Sequence, residues 1–209
     1  MPQSALSGRR AQAARNDKLI LDSARAVFIA EPDAPITAVA RHAGVGISAL
    51  YSRYGSKEEL LRKLCSDGLE RLVAETEAAL ADDRDDWTVF TSLMTRLVDA
   101  DTSSLTAALA GTFTPTPDML KLAERANRLL SELFDRVSGA LRPGAAVHDL
   151  SVIFEMVAAV KNPDPERTRE LRRRYLAVIL DGLRGDARDP LPGAAPTWTE
   201  VASRWAPRT

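Results

Sequence analysis

Gly44 stands between two short segments with one apolar face each, and this arrangement constrains the chain more than any other feature. The first segment opens near Ile36-Thr37, turns Val39 and Ala40 inward, and gives Thr37 the chance to cap its start. Gly44 stops it with the backbone freedom that a tight helix–helix turn requires. Val45 seats the turn on the core. The second segment runs from about Gly46 to Tyr54 with Leu50 and Tyr54 inward, and Gly55 ends it. Upstream, residues 16–30 carry Ile20, Ala24, Val27 and Phe28 at the spacing of one helix face. Glu31-Pro32-Asp33-Ala34-Pro35 closes that helix, because proline cannot continue it and restricts the residue before it. Downstream, Ser56 with Glu59 three residues on forms a capping box that opens a long fourth helix. These segments predict a helix-turn-helix, a form that carries its second helix into a DNA major groove.

The outward residues of that second helix are Gly46, Ile47, Ser48, Ala49, Tyr51, Ser52 and Arg53. Small and apolar side chains approach base edges and thymine methyls. Tyr51, Arg53 and Lys57 are placed to reach phosphate oxygens, as are the backbone N–H groups at the start of the fourth helix.

Thr37, Ala43-Gly44-Val45, Leu50-Tyr51, Tyr54 and Ser56-Lys57-Glu58-Glu59-Leu60 together resemble the DNA-binding domain of the TetR family of transcriptional regulators. The resemblance implies phosphate contacts at Thr37, Tyr51 and Lys57, and base-facing positions at Ile47, Ser48 and Ala49. The chain departs from the family pattern in several places. Gly46 replaces the usual serine, Ser48-Ala49 the usual Gly-Thr, Arg53 a frequent His or Tyr, and Tyr54 the usual Phe. Gly46 has no side chain to donate a hydrogen bond, and Ile47 replaces an often charged residue, so the operator sequence is left open.

The charge is uneven. Residues 1–65 hold ten Lys and Arg against six Asp and Glu, a net of +4, and the rest hold eighteen against twenty-three, a net of −5. This excludes a globally basic nucleic-acid protein and fits a local basic footprint. Cys65 is the sole cysteine, which excludes an intrachain disulfide and suits a reducing cytoplasm. Its neighbours Leu61 and Leu64 make it a packing residue. No apolar run approaches the roughly 18–20 residues of a membrane span, and Met1 to Arg10 has no hydrophobic core of a secretory signal.

The expected organisation is all-α: a disordered basic arm over 1–15 whose Arg9, Arg10 and Arg15 could follow a minor groove, a helix-turn-helix domain over 16–60, a helical regulatory and dimerisation domain over 61–184, and a Pro/Gly-rich tail over 185–209. Within the second domain helices are expected over about Lys57–Ala81, 86–100, a short stretch after Thr102, Asp118–Leu141, 147–161 and Pro165–Leu183. In the tail, Thr197 to Trp205 can form one short helix whose Trp198 and Trp205 dock on the chain's own body or on a partner. Broad apolar faces on the last two long helices, from Leu150, Ile153 and Val157 and from Leu171, Tyr175, Val178 and Ile179, predict a homodimer interface. The family resemblance implies the same, with a four-helix bundle across the dimer and two recognition helices about one DNA turn apart.

The resemblance also implies a ligand pocket among the middle helices, whose occupation moves the DNA-binding heads apart. Trp87, Phe90, Met94, Phe113, Met119, Phe134 and Phe154 are the candidate lining, since Met and aromatic side chains suit adaptable apolar pockets. Thr112, Thr114 and His148 could orient a polar group. Neither His42 nor His148 has a second ligand at metal spacing, so no metal and no cofactor is expected. The expected function is a transcriptional regulator, a repressor that leaves a palindromic operator when a small, largely apolar molecule binds, and not an enzyme. Its nearest rival is a regulator of the same fold answering to a protein partner or to its own concentration. A remoter rival is a magnesium–diphosphate enzyme using Asp82-Asp83-Arg84-Asp85-Asp86, whose clustered carboxylates suit magnesium. A solvated helix–helix loop explains that run more simply.

Overall fold

The computed structural model describes residues 3–185, 189–203 and 205, with side chains omitted for 3–14, 102, 103, 106 and 107. Among the described residues, ten α-helices follow one another: α1 (Gln3–Ala30), α2 (Ile36–Ala43), α3 (Ile47–Tyr54), α4 (Lys57–Leu80), α5 (Asp86–Asp99), α6 (Thr102–Leu109), α7 (Pro117–Val137), α8 (Asp149–Ala158), α9 (Pro165–Leu183) and α10 (Trp198–Ser203). A 3-10 turn at Ser138–Ala140 extends α7. Among the described residues there is no strand, only one antiparallel bridge between Leu141 and Arg184. The all-α fold is as the sequence pattern predicts. Residues 3–15, expected as a disordered arm, instead begin α1, and the side chains of Arg9 and Arg10 lie outside the described part.

The chain divides into two compact units, Met1–Cys65 and Ser66–Thr209, so the division falls inside α4 a few residues beyond the expected boundary at 60. In the first unit α1 packs on α2 and α2 on α3. Its buried apolar residues include Ile20, Ala24, Phe28, Ile36, Val39, Leu50, Tyr54, Leu60 and Leu64. These are the inward positions that the 3.6-residue period selects.

The core of the second unit is built on α5, whose Val89, Phe90, Leu93, Met94, Leu97 and Val98 meet Leu133, Phe134 and Val137 of α7, Leu150, Ile153 and Val157 of α8, and Leu176, Leu180 and Leu183 of α9. Asp85 caps α5 by accepting from the Thr88 N–H at 2.9 Å, and Asp164 caps α9 through the Glu166 N–H. Helix α8 is shorter than its apolar pattern predicts. At its end and just beyond, the Ala158 and Val160 carbonyls accept from Arg172 of α9 at 3.0 Å each instead of continuing a helical ladder. The tail stays on this unit. Leu191 N–H donates to the Pro143 carbonyl at 2.9 Å and the Arg142 Nε–H to that of Asp189 at 2.7 Å. Trp198 lies beside His148, and Trp205 meets Phe113 edge to face with centroids 6.1 Å apart. The two tryptophans therefore dock on the chain's own body.

Candidate nucleic-acid interface

The turn between α2 and α3 forms because Gly44 takes φ +65°, the left-handed region that costs a side-chain-bearing residue about 1–2 kcal/mol. Its N–H and that of Val45 return to carbonyls at the end of α2, closing the helix. The cap at the start of α2 differs from expectation: Pro35 is the cap residue, and Thr37 sits inside the first turn, exposed, with no capping bond. Pro35 suits the place because its extended backbone leads into the helix and no N–H is wanted there. Gly46 precedes α3 in extended conformation, and Gly55 ends it at φ +63°. A Cβ on Gly55 would come within 2.5 Å of the Glu59 carboxylate. Ser56 Oγ accepts from the Glu59 N–H at 3.1 Å, so the sequence-predicted cap of α4 is in place.

Leu50 and Tyr54 are buried and anchor α3, while Gly46, Ser48, Ala49, Tyr51, Ser52 and Arg53 are exposed and Ile47 is half-buried. The exposed residues share a surface of small side chains with one aromatic. The two expected phosphate-binding cations are occupied. Lys57 is half-buried, with its ammonium 5.2 Å from the centre of the Phe28 ring and 3.4 Å from the Pro32 carbonyl. Arg53 donates Nε–H to Asp17 Oδ1 at 2.8 Å and Nη2–H to Oδ2 at 3.0 Å, a two-pronged ion pair from α3 back to α1. The Tyr54 hydroxyl donates to the same Asp17 oxygen at 2.5 Å. The Arg53 guanidinium, ahead of the opposing cost of burial, holds the Asp17 carboxyl below its usual range. Burial first, then the bond to Asp17, pushes the Tyr54 hydroxyl above its usual range. Asp17 escaped sequence reasoning because it lies thirty-six residues from Arg53 and no local pattern links them.

The second unit carries the other expected surfaces. Phe90, Met94 and Phe134 are core, Phe113 and Met119 are buried, and Phe154 packs half-buried against the core. A surface cleft of about 310 Å³ lies along α5 and α9, lined by Trp87, Thr91, Thr95, Arg173, Leu176, Ala177, Leu180, Asp181 and Arg184. Trp87 alone of the seven candidate lining residues faces it. Arg184 lies over the Trp87 ring at 5.6 Å, and Asp99 holds Arg173 by two bonds of 2.7 Å. His148 bridges the Pro196 carbonyl and the Asn127 side chain, which makes it a tie for the tail.

Of the expected dimer residues, Leu150, Ile153 and Val157 are spent on the subunit's own core, and Ile179 packs against it. The α8 pattern has two apolar sides, and the inner side is covered within one chain. Tyr175 and Val178 of α9 are exposed at 47% and 63%, Leu171 is half-buried, and Met156 of α8 is exposed at 51%. The acidic loop is structural: Asp82 bonds Arg84, Asp85 caps α5, and Asp86 pairs with Arg136, whose Nη2–H donates to the Asp82 carbonyl at 2.9 Å. Arg84 holds Asp82 down to about 2, an ion-paired carboxylate at an exposed site.

Residues 20–64 match the model of the bacterial regulatory proteins of the tetR family. No curated protein matches the sequence. Among solved structures, a TetR transcriptional regulator from Streptomyces coelicolor is 25% identical, with 81% of this chain and 99% of that chain covered and a TM-score of 0.56. A TetR transcription regulatory protein from Mycobacterium vanbaalenii is 25% identical over 84% of this chain and 98% of that one, with a TM-score of 0.55. The TetR-like regulator LfrR from Mycobacterium smegmatis, solved in complex with proflavine, shares the fold at 21% identity and a TM-score of 0.63 over 85% of this chain and 99% of that one. Together with the left-handed Gly44 turn and the exposed face of α3, these likenesses identify residues 20–64 as a DNA-binding domain of the tetR regulatory-protein type, carried on an all-α fold shared with TetR regulators.

Proposed function

We propose that the chain is a homodimeric repressor that binds a palindromic operator through α3 and leaves it when a small molecule binds the second unit. The observation that carries the DNA half is α3 itself. It is anchored by Leu50 and Tyr54 and presents Ser48, Ala49, Tyr51 and Ser52 as exposed residues. Small side chains at the start of such a helix let its backbone approach base edges, and Tyr51 extends far enough to reach a phosphate. Thr37, Gly46 and Ile47 flank that surface, and Lys57 adds charge beside it. A dimer would supply the two half-site readers that a palindrome needs. Met156, Leu171, Tyr175 and Val178 form the apolar strip through which we infer that two copies meet. No catalytic role is assigned, and the place of action is the cytoplasm, where the DNA is.

The inducer half rests on the cleft along α5 and α9. A cleft of about 310 Å³ lies at the lower edge of the usual range for ligand sites. Most of the aromatic and Met side chains that suited a pocket are core instead. That observation favours a second reading, a regulator of the same fold governed by a protein partner or by its own concentration.

The deciding experiment is fluorescence anisotropy of labelled DNA from the region upstream of its own gene, against a scrambled duplex. Sequence-dependent binding with two protomers per site supports the regulator, and equal affinity for both duplexes removes the operator from the proposal. Release by small hydrophobic compounds separates the inducible repressor from its rival. Tyr51→Phe should weaken the binding.

A further inference from the structure

Helix α3 reads ISALYSRY and contains one basic residue, Arg53. The ion pair it makes has no role in the function proposed above. Arg53 is on the outside, with 61% of its side chain exposed, whereas Asp17 is 20% exposed and held from two sides by Arg53 and Tyr54. Two of the five guanidinium N–H groups are spent on the carboxylate, and the fork geometry fixes the plane of the rest. The charges cancel within 3 Å, so a phosphate arriving at the end of α3 meets a pair without net charge. The attraction of a nucleic-acid-binding surface for any DNA, whatever its sequence, comes from cations that replace phosphate counterions. A cation already neutralised displaces none.

We propose that Asp17 is a positioning residue: it holds Arg53 off the DNA phosphates, so that α3 adds no charge-driven affinity for any duplex. This rests on the DNA-binding reading of α3. Asp17 sits on α1, outside the helix-turn-helix, and also fixes the end of α3 against α1 through Tyr54. Removing the carboxylate releases a guanidinium whose side chain is already at the surface. The helix then gains one phosphate contact that is indifferent to sequence, and affinity for random DNA rises with a steeper dependence on salt.

The test is the salt dependence of binding to a labelled random-sequence duplex by the full-length protein. It compares wild type, Asp17→Asn and the double variant Asp17→Asn/Arg53→Met, with circular dichroism melts to confirm folding. Each phosphate neutralised steepens the plot of log K against log salt by about 0.9. Asp17→Asn should steepen it by that amount, which is an extra loss of about 3.5-fold in affinity between roughly 50 and 200 mM salt. The double variant removes the pair together and should return the wild-type slope. Should Asp17→Asn fail to fold, Asp17→Ala, a better helix former, repeats the measurement. An unchanged slope in the folded Asp17 variant overturns the proposal. So does a double variant shallower than wild type by about 0.9, because Arg53 would then already be on a phosphate. A wild-type protein that binds neither this duplex nor its own upstream DNA overturns the reading of α3 and this inference with it. Binding by the wild type with no response at Asp17 overturns the inference alone.

Discussion

Arg172 is the charged side chain whose loss should cost the second unit most. It is 7% exposed and lies between three elements. Its Nε–H donates to the Val160 carbonyl and its Nη2–H to that of Ala158, both at 3.0 Å, and its Nη1–H to Asp101 at 2.6 Å. Arg172→Met keeps most of the stem and removes all three bonds. Ala158 is buried, and a buried carbonyl left without its donor costs about 1–3 kcal/mol. Val160 is half-buried and regains some water. Asp101 has 36% of its side chain exposed, so its carboxylate is rehydrated and contributes little to the cost. The sum is about 3 kcal/mol, near the lower edge of what breaking a buried ion pair costs. Asp101→Asn is the control. Asp101 has φ +51°, a conformation that Asn tolerates as well as Asp, so the backbone is unchanged and about 1 kcal/mol should be lost. The assay is urea unfolding followed by tryptophan fluorescence at fixed protomer concentration. Trp87, Trp198 and Trp205 all lie in the second unit, so the signal reports that unit alone. An Arg172→Met protein within 1 kcal/mol of wild type, or an Asp101→Asn protein as unstable as Arg172→Met, would refute the carbonyl argument.

Gly44→Ala should destabilise the first unit by about 1–2 kcal/mol, all of it backbone strain, because an added Cβ meets nothing within 4 Å. Gly46→Ala, at φ −67° and in equally open space, should leave thermal melting unchanged, and equal losses at the two glycines would contradict the turn assignment. The Cys65 thiol is pushed up to about 12 by burial, with the nearby Arg25 charge opposing. The reactive thiolate is therefore scarce throughout neutral pH. An aromatic disulfide reagent should react slowly with the native protein and rapidly in urea, and rapid native reaction would show the thiol to be accessible. Val178→Glu places a charge on an exposed residue and should leave the fold intact while sedimentation shows dimers giving way to monomers. Persisting dimers would move the interface away from α9.

The helices and their turns were legible in the sequence because their determinants are local. Gly44, Gly55, the Ser56 cap and the period of Leu50 and Tyr54 act within a few residues of themselves, and the Glu31-Pro32-Asp33-Ala34-Pro35 run separates α1 from α2 by an equally local restriction of the backbone. The outward face of α3 followed from the same period. What the sequence left open were matters of partnership between distant residues. Leu150 and Tyr175 look alike as apolar positions on amphipathic helices, yet one is covered by α5 and the other faces solvent. Phe90 and Trp87 are neighbours on α5, but only the indole borders a cleft. Arg53 looked like a hand held out to DNA until Asp17, far off in sequence, was seen to hold it. Backbone geometry and hydrophobic period are set by residues close along the chain. Which apolar face is covered, and which charge is already answered, depends on contacts closed by folding, and for those the tertiary structure decides.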